Sequence, residues 1–233
     1  MAAYWKTEEE LYALIRAELF TAVVGDVMDK MGLQHQFLPP RIGPLRPDMV
    51  VIGRAMPVLT ADVFAATAED RSPAASLMNK PFGLMLEALD DLRTGEVYVC
   101  TGGSPRYALW GELMSTRARK LGAAGAVLNG YSRDTDGILA LDFPTFSHGR
   151  YAQDQGPRGK VIDFRTPIEI EGVRIAPGDL LFGDSEGVLV TPQAAIEEAF
   201  SLAVEKARGE KLVRKAIQEG MSACEAFATF GIM

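Results

Sequence analysis

Apolar residues recur at helical spacing near the start of the chain, where Leu11, Leu14, Ile15, Leu19, Val23, Val24, Val27 and Met28 fall within residues 7–31. The spacing predicts one or two helices, broken near Thr21, with Thr7 as N-cap ahead of Glu8, Glu9 and Glu10. Pro39, Pro40, Pro44 and Pro47 then exclude a helix until residues 49–58, where β-branched side chains and Gly53 predict a strand. Residues 61–76 are polar and small and read as a mobile or partly helical connection.

The second half is more regular. Residues 96–100 read as a short apolar strand, 101–105 as a Gly-containing loop, 108–121 as a helix ended by Gly122, and 126–128 as the next strand. Together they form a β-loop-α-β unit with a parallel strand pair. Further short strands are predicted over 143–146, 161–164, 168–170, 173–175, 180–182 and 188–190, with turns at Glu171-Gly172 and Pro177-Gly178-Asp179. A last helix over 194–218 carries Glu198, Lys206, Arg208, Lys211 and Arg214 on a solvated face. No repeat or linker stands out, so residues 1–233 read as one domain.

Composition narrows the class. With 48% hydrophobic and 24% charged residues, 233 residues suffice for a filled core. A net charge of −7 argues against a nucleic-acid surface, which needs a positive field. Cys100 and Cys224 are too few for a disulfide framework, the N-terminus lacks an apolar signal segment, and no apolar run is long enough to span a bilayer. A cytoplasmic protein with no membrane partner is the expectation.

In parallel α/β units, strand C-terminal ends and helix N-termini share one edge, where ligands collect. That edge receives Gly111-Glu112-Leu113-Met114 near a helix start, whose N–H groups suit a carboxylate, and Asn129-Gly130-Tyr131-Ser132-Arg133-Asp134 after the next strand. Arg133 offers a planar two-pronged contact to a carboxylate or to a keto oxygen gaining charge. Asp134 and Glu112 are hard oxygen ligands, and with only His35 and His148 a multi-histidine zinc site is excluded, so Mg2+ or Mn2+ is the expected metal. Taken alone, an adjacent Arg-Asp pair is more often a surface ion pair. Glycines 122, 125 and 130 read as a helix cap, a close-packing contact and a turn; Met28, Met31 and Met78 read as core filler and His148 as a loop histidine.

Gly111-Glu112, the stretch Leu121-Gly122-Ala123-Ala124-Gly125-Ala126-Val127-Leu128-Asn129-Gly130 and Arg133-Asp134 together resemble the RraA-like family of 4-hydroxy-4-methyl-2-oxoglutarate aldolases and regulators of ribonuclease activity A. Gly25-Asp26-Val27-Met28-Asp29, Phe143-Pro144-Thr145-Phe146, Pro177-Gly178-Asp179-Leu180 and Gly183-Asp184-Ser185-Glu186-Gly187-Val188 extend the likeness over most of the chain. Asn129 stands where the family often has aspartate, and the stretch 65–75 has no family counterpart.

The resemblance implies an α/β protein of the β/β/α swivelling type, like phosphohistidine domains, with N-terminal helices and a C-terminal helix, assembled as a homotrimer or homohexamer. It implies that Gly111, Glu112, Leu113 and Met114 hold the carboxylate of a small 2-oxo acid, that Arg133 binds substrate, and that Asp134 holds the metal. Glu112, and Glu210 or Glu205 of a neighbouring subunit, would act through metal-bound water. The expected activity is retro-aldol cleavage or oxaloacetate decarboxylation through a pyruvate enolate, with Arg133 and Glu112 catalytic. The alternatives are a non-catalytic regulator of RNA decay, a sugar-acid lyase or dehydratase, and a phosphohistidine carrier using His148.

Overall fold

The computed structural model describes residues 3–64 and 69–232. In chain order its helices are α1 (Glu8–Glu18), α2 (Thr21–Lys30), α3 (Ala75–Met78), α4 (Met85–Asp90), α5 (Glu112–Lys120), α6 (Thr135–Ala140), α7 (Ile196–Gln218) and α8 (Ala223–Phe230). The strands are β1 (Gly43–Pro44), β2 (Val51–Asp62), β3 (Glu96–Thr101), β4 (Ala108–Trp110), β5 (Gly125–Leu128), β6 (Tyr131–Ser132), β7 (Thr145–Ser147), β8 (Gly159–Phe164), β9 (Ile168–Ile170), β10 (Val173–Ile175), β11 (Leu180–Asp184) and β12 (Gly187–Thr191). They divide between two compact units, Met1–Gln34 with Ala194–Met233, and His35–Gln193.

The larger unit is built on a mixed sheet in the order β1-β7-β5-β3-β2-β11-β12, with β8 also pairing with β2. Its centre is parallel: β2 with β3, β3 with β5, and β5 with β7. Strands β3 and β5 are buried almost throughout, as parallel strands covered on both faces must be. One face packs against Met85, Leu89, Ala118 and Ile138 from α4, α5 and α6. The other packs against Ile168, Ile170, Val173 and Ile175 of the β9–β10 hairpin. The alternation in that hairpin is strict, with Glu169 and Arg174 exposed between buried neighbours, so its apolar face can only point inward. This layering, hairpin on sheet on helices, is the expected β/β/α arrangement.

The smaller unit consists of α1, α2, α7 and α8. Thr7 caps α1 by accepting from the Glu10 N–H, and the chain breaks between α1 and α2 at Leu19 and Phe20, as the pattern requires. Lys206 is a correction: it is not on a solvated face but largely buried, paired with Asp26 at 2.5 Å and Glu210 at 2.9 Å. Arg208 pairs with Glu18.

The predicted helix over 108–121 also needs correction. Ala108–Trp110 is a fully buried strand paired in parallel with β6, and the helix starts only at Glu112. Burial explains this: Trp110 sits 4.8 Å from Tyr98 and 6.1 Å from Phe143, a contact that extended backbone provides and a helix would turn away. The strand read over 143–146 begins at Thr145. Short helices α4 and α6, and the capping-box helix α8, were not predicted; the first two have 6 residues each, too few for a period to show. Of the connection read over 61–76, residues 65–68 lie outside the described residues, 61–62 belong to β2, and α3 supplies the helical part. Among the described residues no helix is long and apolar enough to cross a membrane.

Candidate active site

Two strands that lie outside the main sheet bring the candidate residues together. The pairing of β4 with β6 sets Trp110 opposite Ser132, and the Arg133 N–H donates to the Trp110 carbonyl at 2.9 Å. Trp110 is held by its ring contacts and by an Nε1–H bond to Ser115 Oγ at 2.7 Å. The buried indole therefore fixes the backbone from which Arg133 projects and from which α5 begins.

Gly111 is the N-cap of α5, in extended conformation, followed by Glu112 in the first turn. A Cβ on Gly111 would stand 2.9 Å from Asp134 Oδ2, so glycine is what lets the carboxylate approach the helix start. Asp134 occupies the N-cap position of α6 with φ 52°, in the left-handed region that non-glycine residues seldom adopt. Aspartate at an N-cap ordinarily accepts a bond from its own helix. Asp134 makes no such bond; its Oδ2 lies 3.6 Å from Arg133 Nε instead. Strained, uncapped conformations of this kind concentrate at functional sites.

Asp134 is shared by two cavities. One, of about 450 Å³, is lined by Gly111, Leu113, Met114, Arg133 and Asp134, with apolar residues of α4. The other, of about 500 Å³, is lined by Glu112, Asp134, Thr135, Asp136, Gly137 and Arg150. Glu112 packs its carboxyl against Gly137, where a side chain would collide with it. The structure thus unites Gly111, Glu112, Leu113, Met114, Arg133 and Asp134, as the parallel-edge argument predicts. Glu210 belongs to the smaller unit, where it accepts from Lys206, and Glu205 there accepts from the Tyr4 hydroxyl.

The donor set fits a hard divalent cation. Asp134 and Glu112 offer only carboxylate oxygens on the wall of one cavity, and the missing Cβ at Gly111 leaves room beside Asp134. Among the described residues no three His, Cys, Asp or Glu side chains form a cluster that could hold a metal, so such an ion would complete its shell from water, substrate or another chain.

Two residues of the site escaped the sequence reading. Asp154 Oδ1 lies 2.8 Å from Arg133 Nη1, while its Oδ2 accepts from the Gly156 N–H at 3.0 Å. Gln155 lines the cavity beside Arg133, is buried, and its Nε2 has no hydrogen-bond partner. Both lie in the irregular segment before β8, where neither periodicity nor motif carries a signal. His148 is engaged locally: its Nε2 faces Arg41 Nε at 3.2 Å and Asn129 Oδ1 at 3.1 Å, and its ring meets Tyr131 edge-on. Burial, with Arg41 beside it, pushes its pKa down.

An arginine, an uncapped aspartate and a helix N-terminus thus meet at one edge of the α/β core, an arrangement whose chemistry suits a carboxylate. Residues 21–190 match the family model for RraA-like proteins, described as Aldolase/RraA, and the chain belongs to that family. It is 32% identical over 144 residues to a Halalkalibacterium halodurans protein whose name proposes it as a 4-hydroxy-4-methyl-2-oxoglutarate aldolase, covering 61% of this chain and 68% of that one. It is 26% identical over 208 residues to protein DlpA of Legionella pneumophila, covering 86% of this chain but only 30% of the relative's length. The fold matches that of Streptomyces coelicolor RraAS2, named as an unusual member of the RNase ES inhibitor RraA family, with TM-score 0.74 and 21% identity over 90% of this chain and 98% of that one.

Proposed function

We propose that this chain is a divalent-metal-dependent carbon-carbon lyase that releases pyruvate from a small 2-oxo acid. The observation that carries this reading is Asp134: a strained, uncapped carboxylate held between Arg133 and the start of α5, on the wall of both cavities. Mg2+ or Mn2+ held by Asp134 would supply Lewis-acid polarisation of the 2-oxo group.

The chain's own residues do the rest. Arg133 meets the substrate carboxylate, or the keto oxygen as it gains charge, with the guanidinium N–H groups that Asp154 leaves free. The N–H groups opening α5 favour negative charge at Gly111 and Leu113. Glu112 lines the adjoining cavity together with Asp134, where its carboxylate would order water beside the metal. Both proposed reactions, cleavage of a 4-hydroxy-2-oxo acid and decarboxylation of oxaloacetate, develop charge on that same keto oxygen.

The test is pyruvate release from oxaloacetate and from 4-hydroxy-4-methyl-2-oxoglutarate with Mg2+ or Mn2+, and with EDTA. Metal-dependent release lost in Asp134→Ala is expected. No release with either metal from these acids or from a monocarboxylate 4-hydroxy-2-oxo acid overturns the reading in favour of a binding protein.

A further inference from the structure

The cavity beside Arg133 is much larger than the reacting end of a 2-oxo acid requires. At about 450 Å³ it lies in the range of about 300–1,000 Å³ found for pockets that enclose a whole small-molecule ligand. Beyond Gly111 its wall is mainly apolar: Met85 and Leu89 of α4, Trp110 of β4 and Met114 of α5 line it, with the exposed Leu86 and Leu113 alongside. Gln155, buried in the same wall, is an uncharged amide.

The charges on this wall are already committed. Arg117 Nε is bonded to Asp90 Oδ1 at 2.7 Å, and Arg133 Nη1 to Asp154 Oδ1 at 2.8 Å. With Asp134 the lining carries two arginines against three aspartates. A bound divalent cation turns that balance to a single net positive charge. One substrate carboxylate neutralises it, while a second would be left without a counter-charge beside the apolar part of the wall, which is unfavourable.

On the lyase reading above, we infer that the substrate is a monocarboxylate 4-hydroxy-2-oxo acid whose substituent beyond the scissile bond is apolar, seated between α4 and α5. In its cleavage the C4 hydroxyl gives up its proton, the C3–C4 bond breaks, and C4 leaves as an apolar aldehyde or ketone. The bonding electron pair passes to C3 as the enolate of pyruvate, which takes up one proton. No oxidant or further reactant is needed.

The experiment compares kcat/KM for pyruvate release from 4-hydroxy-2-oxooctanoate and 4-hydroxy-4-methyl-2-oxoglutarate, with oxaloacetate as a tail-free control of the chemistry. Alongside it, tryptophan fluorescence measures binding of 2-oxooctanoate and of 2-oxoglutarate, neither of which is cleaved, in the presence of Mg2+. The octanoate substrate is expected to be favoured by at least about tenfold, because its tail buries several CH2 groups. Leu113→Lys should shrink or reverse that preference. A diacid preference in wild type, or an unchanged preference in Leu113→Lys, overturns the inference while leaving the lyase reading intact. If no acid yields pyruvate, the lyase reading fails; tighter binding of 2-oxooctanoate than of 2-oxoglutarate then still supports an apolar-tailed monocarboxylate ligand, and equal or weaker binding overturns it.

Discussion

Asp154 holds Arg133 by an ion pair of 2.8 Å between Oδ1 and Nη1, joining the loop before β8 to the turn after β6. Both side chains are partly exposed, so the pair contributes only about 0–1 kcal/mol to stability. Its importance lies in aim. Asp154→Asn is expected to lower kcat/KM for pyruvate release about tenfold, equivalent to about 1.4 kcal/mol, chiefly through KM, with little change in melting temperature. Asp154→Glu should recover part of the loss. Steady-state kinetics beside thermal denaturation check this, and a large loss of stability in Asp154→Asn would instead mark a structural role.

Gly111 is extended, so alanine is tolerated there by the backbone. Its Cβ would stand 2.9 Å from Asp134 Oδ2 and push that carboxylate away. Gly111→Ala should therefore reduce turnover by about tenfold or more and weaken Mg2+ or Mn2+ binding, while the melting temperature falls by no more than about 4 °C. Metal titration calorimetry and thermal denaturation distinguish this outcome from general unfolding.

Cys100 is buried in β3 and burial pushes its thiol up to about 12, whereas Cys224 is exposed on α8. At pH 8 the Cys100 thiol stays protonated and sheltered, so a thiol reagent should modify Cys224 alone in the native protein and both cysteines after denaturation. Mass spectrometry of the labelled protein reads the result directly.

Asp62 is subject to opposing influences. Burial pushes its carboxyl up, but the Ser104 N–H at 2.9 Å, the Tyr107 hydroxyl at 2.8 Å and Arg106 together hold it below the ordinary value of 3.8. Because the folded pKa is the lower one, its stabilisation is complete above the unfolded value and is lost as pH falls through the folded value. The stability gap between wild type and Asp62→Asn should be widest near neutral pH and should narrow as the pH falls below the ordinary carboxylate value of 3.8. Urea denaturation across that range tests the sign.

Periodicity was sufficient where an element's environment is uniform along it. The strict alternation at Ile168, Ile170, Val173 and Ile175 set the β9–β10 hairpin, and the helical stripe from Leu11 to Met28 set α1 and α2 with their break. It failed at Ala108–Trp110, whose apolar side chains suit a helix or a strand equally; the aromatic contacts of Trp110 with Tyr98 and Phe143 decided for the strand. α6 gave no local signal either, since it has only 6 residues and follows an Asp134 in the left-handed region.

For the site, the sequence by itself determined the chemistry on offer: the residue types at 111–114 and 133–134, and the strand-helix order that sends them to one edge. Only the tertiary structure decided their geometry. The β4–β6 pairing joins Trp110 to Arg133, and the absent side chain of Gly111 makes room for Asp134. Asp154 comes from an irregular segment to meet the guanidinium, and α4 supplies the apolar wall. Such contacts depend on long-range packing between segments whose local sequences do not encode each other's position, and that is why they become visible only when the chain is folded.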